Sequence, residues 1–168
     1  LKHTGYRREI GYLKPLMRTA FLRKHGLEFR EDMRLAEDYE FYARALMAGA
    51  RLEVIDPCGY IALNREGSLS KAVPTRAMEK VVAADQALLS EPGLPVGARA
   101  ALCEHLTQSL IDLQWMRLID AVRARSLPAA FGVFMARPAI SAGVMLRLVK
   151  HILKIPIYPE ERGKTAPA

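Results

Sequence analysis

Residues 36–48 read AEDYEFYARALMA and form the most clearly patterned segment of this 168-residue chain. Tyr39, Tyr42 and Leu46 recur at helical spacing, so the pattern predicts one amphipathic helix over this range. Gly49 follows directly and predicts where the helix ends. Acidic residues stand at the start of the segment, where carboxylates oppose the positive end of a helix dipole.

The residues on either side of this helix mix helical and strand patterns. A preceding helix is predicted from Pro15, which suits a first helical turn, to about residue 25. Two short strands are expected after the 36–48 helix, at residues 51–55 and 59–63, followed by a turn at residues 66–68. The sequence therefore predicts an α+β part, mostly α, over residues 1–71.

The rest of the chain, residues 72–168, is predicted to be a helical C-terminal lobe. Helices are expected at residues 74–89 and 97–125, and two more follow Pro128 and Pro138. The 97–125 helix carries apolar stripes on two sides, which is typical of a helix between two layers or between two subunits. Trp115 falls in one of these stripes and is expected in the core.

The last predicted helix, residues 141–155, has an apolar side and a basic side. Val144, Leu148, Ile152 and Ile155 follow helical spacing on the apolar side. The basic stripe consists of Arg147, Lys150, His151 and Lys154. Two interpretations stay open: the stripe contacts an anionic membrane, or it is a solvated face of a helix that docks on its own domain.

Composition narrows the classes of protein without choosing one. Half of the residues are hydrophobic (51%), which favours a packed domain over disorder. The net charge of +7 and the pI near 9.6 favour a polyanionic partner: nucleic acid, an anionic membrane or a phosphorylated substrate. Cys58 and Cys103 match no metal-ligand spacing and indicate reduced, cytoplasmic thiols. Neither a signal peptide nor a membrane-spanning run is recognisable in these residues.

An ordered series of short motifs occupies residues 11–70. It consists of GYLKP at 11–15, GLEF at 26–29, AEDYEF at 36–41, AGA at 48–50, GY at 59–60 and GSLS at 67–70. In this order and spacing, the series resembles the C-terminal, acceptor-side portion of a family-two GT-A glycosyltransferase of the succinoglycan and exopolysaccharide type. The resemblance covers about 60 residues, and it implies that the chain is part of a longer enzyme.

The resemblance implies roles for particular residues. Asp38 would be the catalytic base that takes a proton from the acceptor hydroxyl, and Glu37 would help to position the acceptor. Arg65, Ser68 and Ser70 would contact the diphosphate of a nucleotide-sugar donor. Ala62 and Leu63 depart from the family pattern, which commonly has an aromatic and a basic residue there.

The family also implies a divalent metal, Mg or Mn, held by an Asp-x-Asp motif in an N-terminal nucleotide-binding half. No Asp-x-Asp occurs in this sequence, so the metal belongs to the intact enzyme and the fragment alone is expected to be inactive. The implied activity is an inverting hexosyl transfer to a growing, lipid-linked saccharide. The implied location is cytoplasmic, peripheral on the inner membrane.

Structural explanations compete with each functional one. Glu37 and Asp38 could simply be first-turn acids, and residues 65–70 an ordinary surface turn. Glu31 and Asp32 form a second acidic pair that no apolar stripe follows, and a solvated loop is expected there. For the whole chain, the alternatives are a basic helical module for nucleic acid, which its lack of recognition motifs disfavours, and a self-association module that forms a homodimer.

Overall fold

The computed structural model describes residues 15–53, 73–135 and 137–154. These residues form helices joined by short loops, and none of them lies in a strand. In chain order the helices are α1 (Thr19–Lys24), α2 (Glu37–Met47), α3 (Thr75–Ser90), α4 (Val96–Arg123), α5 (Leu127–Val133) and α6 (Pro138–Ile152).

The helical assignment after residue 72 is confirmed in the described residues, and the ends of α2 to α4 lie within two residues of their predicted positions. Gly49 ends α2 as expected because its backbone is left-handed, with φ of 93°. The amide of Gly49 donates to the carbonyl of Leu46 and the amide of Ala50 to that of Ala45, both at 3.0 Å. These two bonds satisfy carbonyls that the helix end would otherwise leave unpaired.

The prediction for the first helix was wrong at its start. α1 begins at Thr19, and residues 15–18 precede it without helical structure. Pro15 is compatible with either arrangement, because its fixed φ suits an extended segment as well as a helical turn. Arg18, the residue before the helix, is extended and provides no side-chain cap.

The first predicted strand is also wrong over its described part. Arg51, Leu52 and Glu53 are exposed and have no regular structure. A strand needs a neighbour to pair with its backbone groups, and the part of the chain that the structure describes offers none. The remainder of that strand, the 59–63 strand, the 66–68 turn and the predicted boundary at residue 71 lie outside the described residues.

The chain divides into two compact units, one over residues 10–113 and one that includes residues 114–168. In the first, Leu27, Phe41 and Ala45 form a buried cluster, against which Phe21 and Leu22 of α1 pack. Burial of this apolar surface stabilises α2, whose propensity alone would be marginal at 11 residues.

In the second unit, α6 packs through Ile140 and Val144, of which Val144 is completely buried. The side chain of Ser141 donates a hydrogen bond to the carbonyl of Phe134 after α5, at 3.0 Å. The ring of His151 meets that of Trp115 edge-on, with centroids 5.9 Å apart. Trp115 is only half-buried, whereas the sequence predicted a position in the core.

The orientation of α6 differs from the sequence-based expectation. Val144 packs inward as predicted, whereas Ile152 is 68% exposed. Lys154 lies beyond the helix with a left-handed φ of 54°, so it cannot continue the basic stripe. The reason is that α6 is apolar on two sides, and only one of them can face the interior.

Among the described residues, no single helix has the length and hydrophobicity expected of a membrane span. Together, α5 and α6 have the length and apolar composition of a membrane span, but the chain bends by 117° between them.

Candidate active site

The first turn of α2 holds Glu37 and Asp38 at the positive end of the helix dipole. Both side chains are half-buried. One carboxylate oxygen of Asp38 accepts a hydrogen bond of 2.8 Å from the backbone amide of Tyr39. This bond fixes the orientation of the Asp38 carboxylate, and a carboxylate held in a fixed position can act as a general base.

Ala36, the residue immediately before this turn, has left-handed backbone angles, with φ of 55° and ψ of 26°. Such angles cost a residue with a Cβ about 1 kcal/mol or more. No side chain caps the helix at this position. The left-handed turn at Ala36 therefore leads the chain into α2. The acidic side chains nearest the N-terminus of the helix are those of Glu37 and Asp38.

Tyr42 lies one turn after the two acids. Partial burial and the negative charges of Asp38 and Glu37 raise the pKa of the Tyr42 phenol. Tyr42 therefore lies near enough to both carboxylates for their charges to add to the effect of its burial.

Glu40, the third acid of the segment, has a different environment. It is 4% exposed and pairs with Arg44 through two hydrogen bonds of 2.8 and 2.9 Å. Arg44 also donates to the carbonyl of Glu28 at 2.6 Å. Glu40 thus ties α2 to the loop before it, and its oxygens are already used by a cation.

A buried polar network joins α3 to α4 and reaches the first turn of α2. Asp85 of α3 is completely buried, and both its oxygens lie 2.8–2.9 Å from Nδ1 of His105 on α4. The Ser109 hydroxyl donates to Asp85 at 3.0 Å. The His105 ring stacks on Tyr39, with centroids 3.9 Å apart and planes 16° apart. The network therefore reaches the residue whose amide holds Asp38.

Sequence reasoning missed this network, because Asp85 and His105 lie 20 positions apart and no motif connects them. One signal could have revealed it: Asp85 interrupts the apolar face of α3, between Ala84 and Leu88. A carboxylate at such a position needs buried partners.

The second acidic pair is a loop, as expected. Asp32 is exposed and forms ion pairs with Arg30 at 3.0 Å and with Lys80 of α3 at 2.7 Å. Hydrogen bonds from these two cations hold the pKa of Asp32 well below its usual range. An ion pair between exposed side chains contributes little to stability.

One cavity among the described residues lies beside α2 and does not include the acidic pair. It has a volume of about 920 Å³ and lies between the segment before α1, the C-terminal half of α2 and residues 49–53. Tyr42 is its nearest approach to the acids along α2. The acidic turn, unlike the lining of this cavity, places half-buried carboxylates at a helix N-terminus.

Arg65, Ser68 and Ser70 lie outside the described residues, so their contacts stay a prediction. Within the described ranges, no three His, Cys, Asp or Glu side chains converge as metal ligands. The part of the chain that the structure describes therefore offers no ligand set for a divalent metal.

Two relatives are similar to most of this chain. Succinoglycan biosynthesis protein ExoU of Rhizobium meliloti (strain 1021) is 41% identical over 140 residues, which cover 83% of this chain and 41% of the relative. Succinoglycan biosynthesis protein ExoO of the same strain is 32% identical over 129 residues, 77% of this chain and 37% of the relative. No family model and no solved structure matches the chain.

The chain spans about two fifths of the length of the relatives that it matches. Both carry the succinoglycan name that the motif series in residues 11–70 led us to expect. The similarity also extends well past that series, because 140 aligned residues must include part of the helical region after residue 72. The chain is therefore a homologue of part of the bacterial succinoglycan biosynthesis proteins, and the succinoglycan-type resemblance is confirmed.

Proposed function

We propose that the protein containing this chain is an inverting glycosyltransferase of succinoglycan-type exopolysaccharide synthesis. It would move a hexose from a nucleotide-sugar donor to a growing saccharide. We place this reaction at the cytoplasmic face of the inner membrane, where a lipid-linked acceptor would be reached. Similarity to two succinoglycan biosynthesis proteins supports the pathway, and the acidic turn of α2 supports the chemistry.

In the proposed reaction, Asp38 takes the proton of the acceptor hydroxyl as its oxygen attacks the anomeric carbon of the donor. The new glycosidic bond forms as the bond from the anomeric carbon to the diphosphate oxygen breaks, and the nucleoside diphosphate leaves with that electron pair. Attack from the face opposite the leaving group inverts the anomeric centre. A positioned base of this kind contributes about 10²- to 10⁴-fold to the rate.

The observation that carries the assignment is the contrast between neighbouring acids. Asp38 is half-buried and anchored by a backbone amide, whereas Glu40 is buried against Arg44 and Asp32 is exposed in a loop. Of these three, Asp38 alone combines partial burial, a place in the first turn of a helix and a hydrogen bond from a backbone amide. We assign Glu37 to positioning the acceptor beside it.

The donor is proposed to meet Arg65, Ser68 and Ser70 through its diphosphate, by charge and hydroxyl hydrogen bonds. The divalent metal, Mg or Mn, would be bound by the part of the protein that carries the Asp-x-Asp motif. When bound, that metal would neutralise the charge of the departing diphosphate.

The test replaces Asp38 by Asn in the intact protein and measures transfer of labelled sugar to membranes that supply the acceptor. We expect transfer to fall by about 10²- to 10⁴-fold with little change in melting temperature. Asp32→Asn is the matched control, because it also removes one carboxylate near α2, and it should leave transfer unchanged. Full activity of the Asp38→Asn protein would refute the base assignment.

A second expectation concerns the isolated chain. Residues 1–168 alone should neither turn over a nucleotide sugar nor bind one tightly, because a diphosphate without its metal keeps most of its charge uncompensated. Calorimetric titration with a panel of nucleotide sugars, with and without Mg²⁺ or Mn²⁺, measures this. Turnover of any donor by the isolated chain would contradict it.

A further inference from the structure

The outward face of α6 is apolar. Met145, Leu146, Val149 and Ile152 are 47%, 57%, 43% and 68% exposed, and Leu153 at the end of the helix is 61% exposed. At 3.6 residues per turn, these five positions fall within about 120° of the helix circumference. No charged residue of α6 lies inside that arc.

This face is not the one by which α6 packs in its own unit. Ile140 and Val144, the buried residues of the helix, lie on the opposite side. Ordinary surface helices present polar residues opposite their buried stripe. An outward face of this composition marks a surface that contacts an apolar phase or a partner.

α5 also carries exposed apolar side chains. Leu127, Phe131 and Met135 are 83%, 65% and 66% exposed and recur every four residues, whereas Val133 is buried. Several large apolar side chains of consecutive helices in one unit are thus open to solvent. We call the exposed apolar residues of α5, α6 and the positions just after them the apolar surface. Its members are Leu127, Phe131, Met135, Met145, Leu146, Val149, Ile152 and Leu153.

Positive charge concentrates in the same unit. Residues 114–154 contain seven basic residues against one acidic residue, Asp120, a balance of +6 with His neutral. The remaining residues contain 18 basic and 17 acidic residues, a balance of +1. The seven basic residues are Arg117, Arg123, Arg125, Arg137, Arg147, Lys150 and Lys154.

These two properties together select one class of partner. A nucleic acid would match the charge but would leave the apolar surface in water. A second copy of the chain would cover the apolar surface but would bring two units of +6 together. An anionic bilayer satisfies both, because its acyl chains accept apolar side chains and its headgroups attract Arg and Lys.

The dimensions favour a helix that lies on the membrane. α6 has 15 residues and is about 22 Å long, shorter than a hydrocarbon core of about 30 Å. The 117° bend between α5 and α6 excludes a straight path through both. Arg137 precedes α6 and Lys154 follows it, so a cation at each end can reach the headgroups while the face between them inserts.

We propose that α5 and α6 form a monotopic membrane-binding surface that inserts its apolar side chains into an anionic leaflet. The inference extends the proposed location of the enzyme and rests on that function only for the identity of the membrane. It requires no role for Asp38, so it can fail while the transfer chemistry stands, and the reverse also holds.

The first experiment measures flotation of the intact protein with vesicles of phosphatidylcholine alone and with added phosphatidylglycerol. The parent should bind the anionic vesicles. The variant Met145→Gln/Val149→Gln/Ile152→Gln should bind roughly a hundredfold more weakly, because three apolar side chains no longer leave water. The control Leu16→Gln/Leu52→Gln alters exposed apolar residues of the other unit and should bind like the parent.

A second experiment keeps the surface apolar and so avoids loss of folding. A polarity-sensitive dye is attached at Val149→Cys in protein whose Cys58 and Cys103 are Ser, and at the exposed native Cys103 in a matched protein. On addition of anionic vesicles, the dye at position 149 should shift to the blue and be quenched by nitroxide-labelled acyl chains. The dye at position 103 should show neither change.

Three results would overturn the proposal. They are absent binding of the parent to anionic vesicles, equal binding by parent and Gln variant, and no blue shift at position 149. Sedimentation adds a fourth: a parent dimer that the Gln variant converts to monomer, without vesicle binding, would assign the apolar surface to self-association.

Discussion

The three carboxylates at the start of α2 show how neighbouring residues of one helix acquire different tasks. Glu40 is buried and its charge is compensated by Arg44, so its task is structural. Asp38 is anchored by the amide of Tyr39. Burial raises the pKa of Tyr42, and the charges of Asp38 and Glu37 raise it further. A helix periodicity of 3.6 residues produces this division, because positions 38 and 40 point to different sides.

Ala36 provides a prediction about backbone strain at the candidate site. Because its φ of 55° disfavours a residue with a Cβ, Ala36→Gly should raise the free energy of unfolding by about 1 kcal/mol. Ala43→Gly, in the interior of α2, is the control and should lower it by about 0.5–1 kcal/mol. Urea denaturation of both variants measures the difference, and equal effects of the two would contradict a strained Ala36.

At this scale the sequence predicted where α2 would end but not what would surround its first turn. Gly49 could be placed because a helix end with φ above zero favours glycine. The stack of Tyr39 on His105 could not be, since the two residues are 66 positions apart and meet only after α2 and α4 pack.

At the scale of elements, apolar spacing located the helices well, because burial of one face stabilises a helix wherever that spacing occurs. It failed where a helix is apolar on more than one side, because spacing alone does not show which side is buried. The wide apolar circumference of α6 left its buried side undetermined, and the side chosen from Ile152 was wrong. The Arg51–Glu53 segment failed for another reason, since strand formation depends on a partner that local sequence does not specify.

Asp85 gives a prediction for the packing of α3 on α4. Asp85→Ala should lower the free energy of unfolding by about 3 kcal/mol, because it leaves His105 and Ser109 without their shared buried acceptor. Gln86→Ala, at the next and exposed position, should change it by less than about 0.5 kcal/mol. Denaturant unfolding followed by circular dichroism compares them, and similar values would show that the network contributes little.

At the scale of the whole molecule, net charge is informative only with its location. A balance of +7 spread evenly would favour no single partner, but nearly all of it lies in residues 114–154. Composition predicted a polyanionic partner and left nucleic acid, lipid and phosphate open. Exposure of the α5 and α6 side chains favours lipid, because only one of these partners has an apolar phase.

The concentration of charge predicts how membrane binding responds to salt. Arg123, Arg137 and Lys154 are exposed, and each should contribute on the order of 1 kcal/mol to association with an anionic leaflet. Replacing all three by Gln should weaken vesicle binding roughly a hundredfold near 0.1 M salt. The loss should fade near 1 M salt, where the Debye length contracts to about 3 Å. Melting temperature should hardly change, because exposed side chains carry little packing energy.

The same variant separates lipid from nucleic acid. If lipid is the partner, the parent should bind duplex DNA only weakly, with a dissociation constant no tighter than about 10⁻⁶ M near physiological salt, as expected of non-specific contacts. The charge variant should weaken that binding too, whereas the Gln variant of the apolar surface should leave it unchanged, because DNA offers no apolar phase. Submicromolar, salt-sensitive binding to DNA that depends on the three cations, together with vesicle binding that does not, would make nucleic acid the partner of this unit.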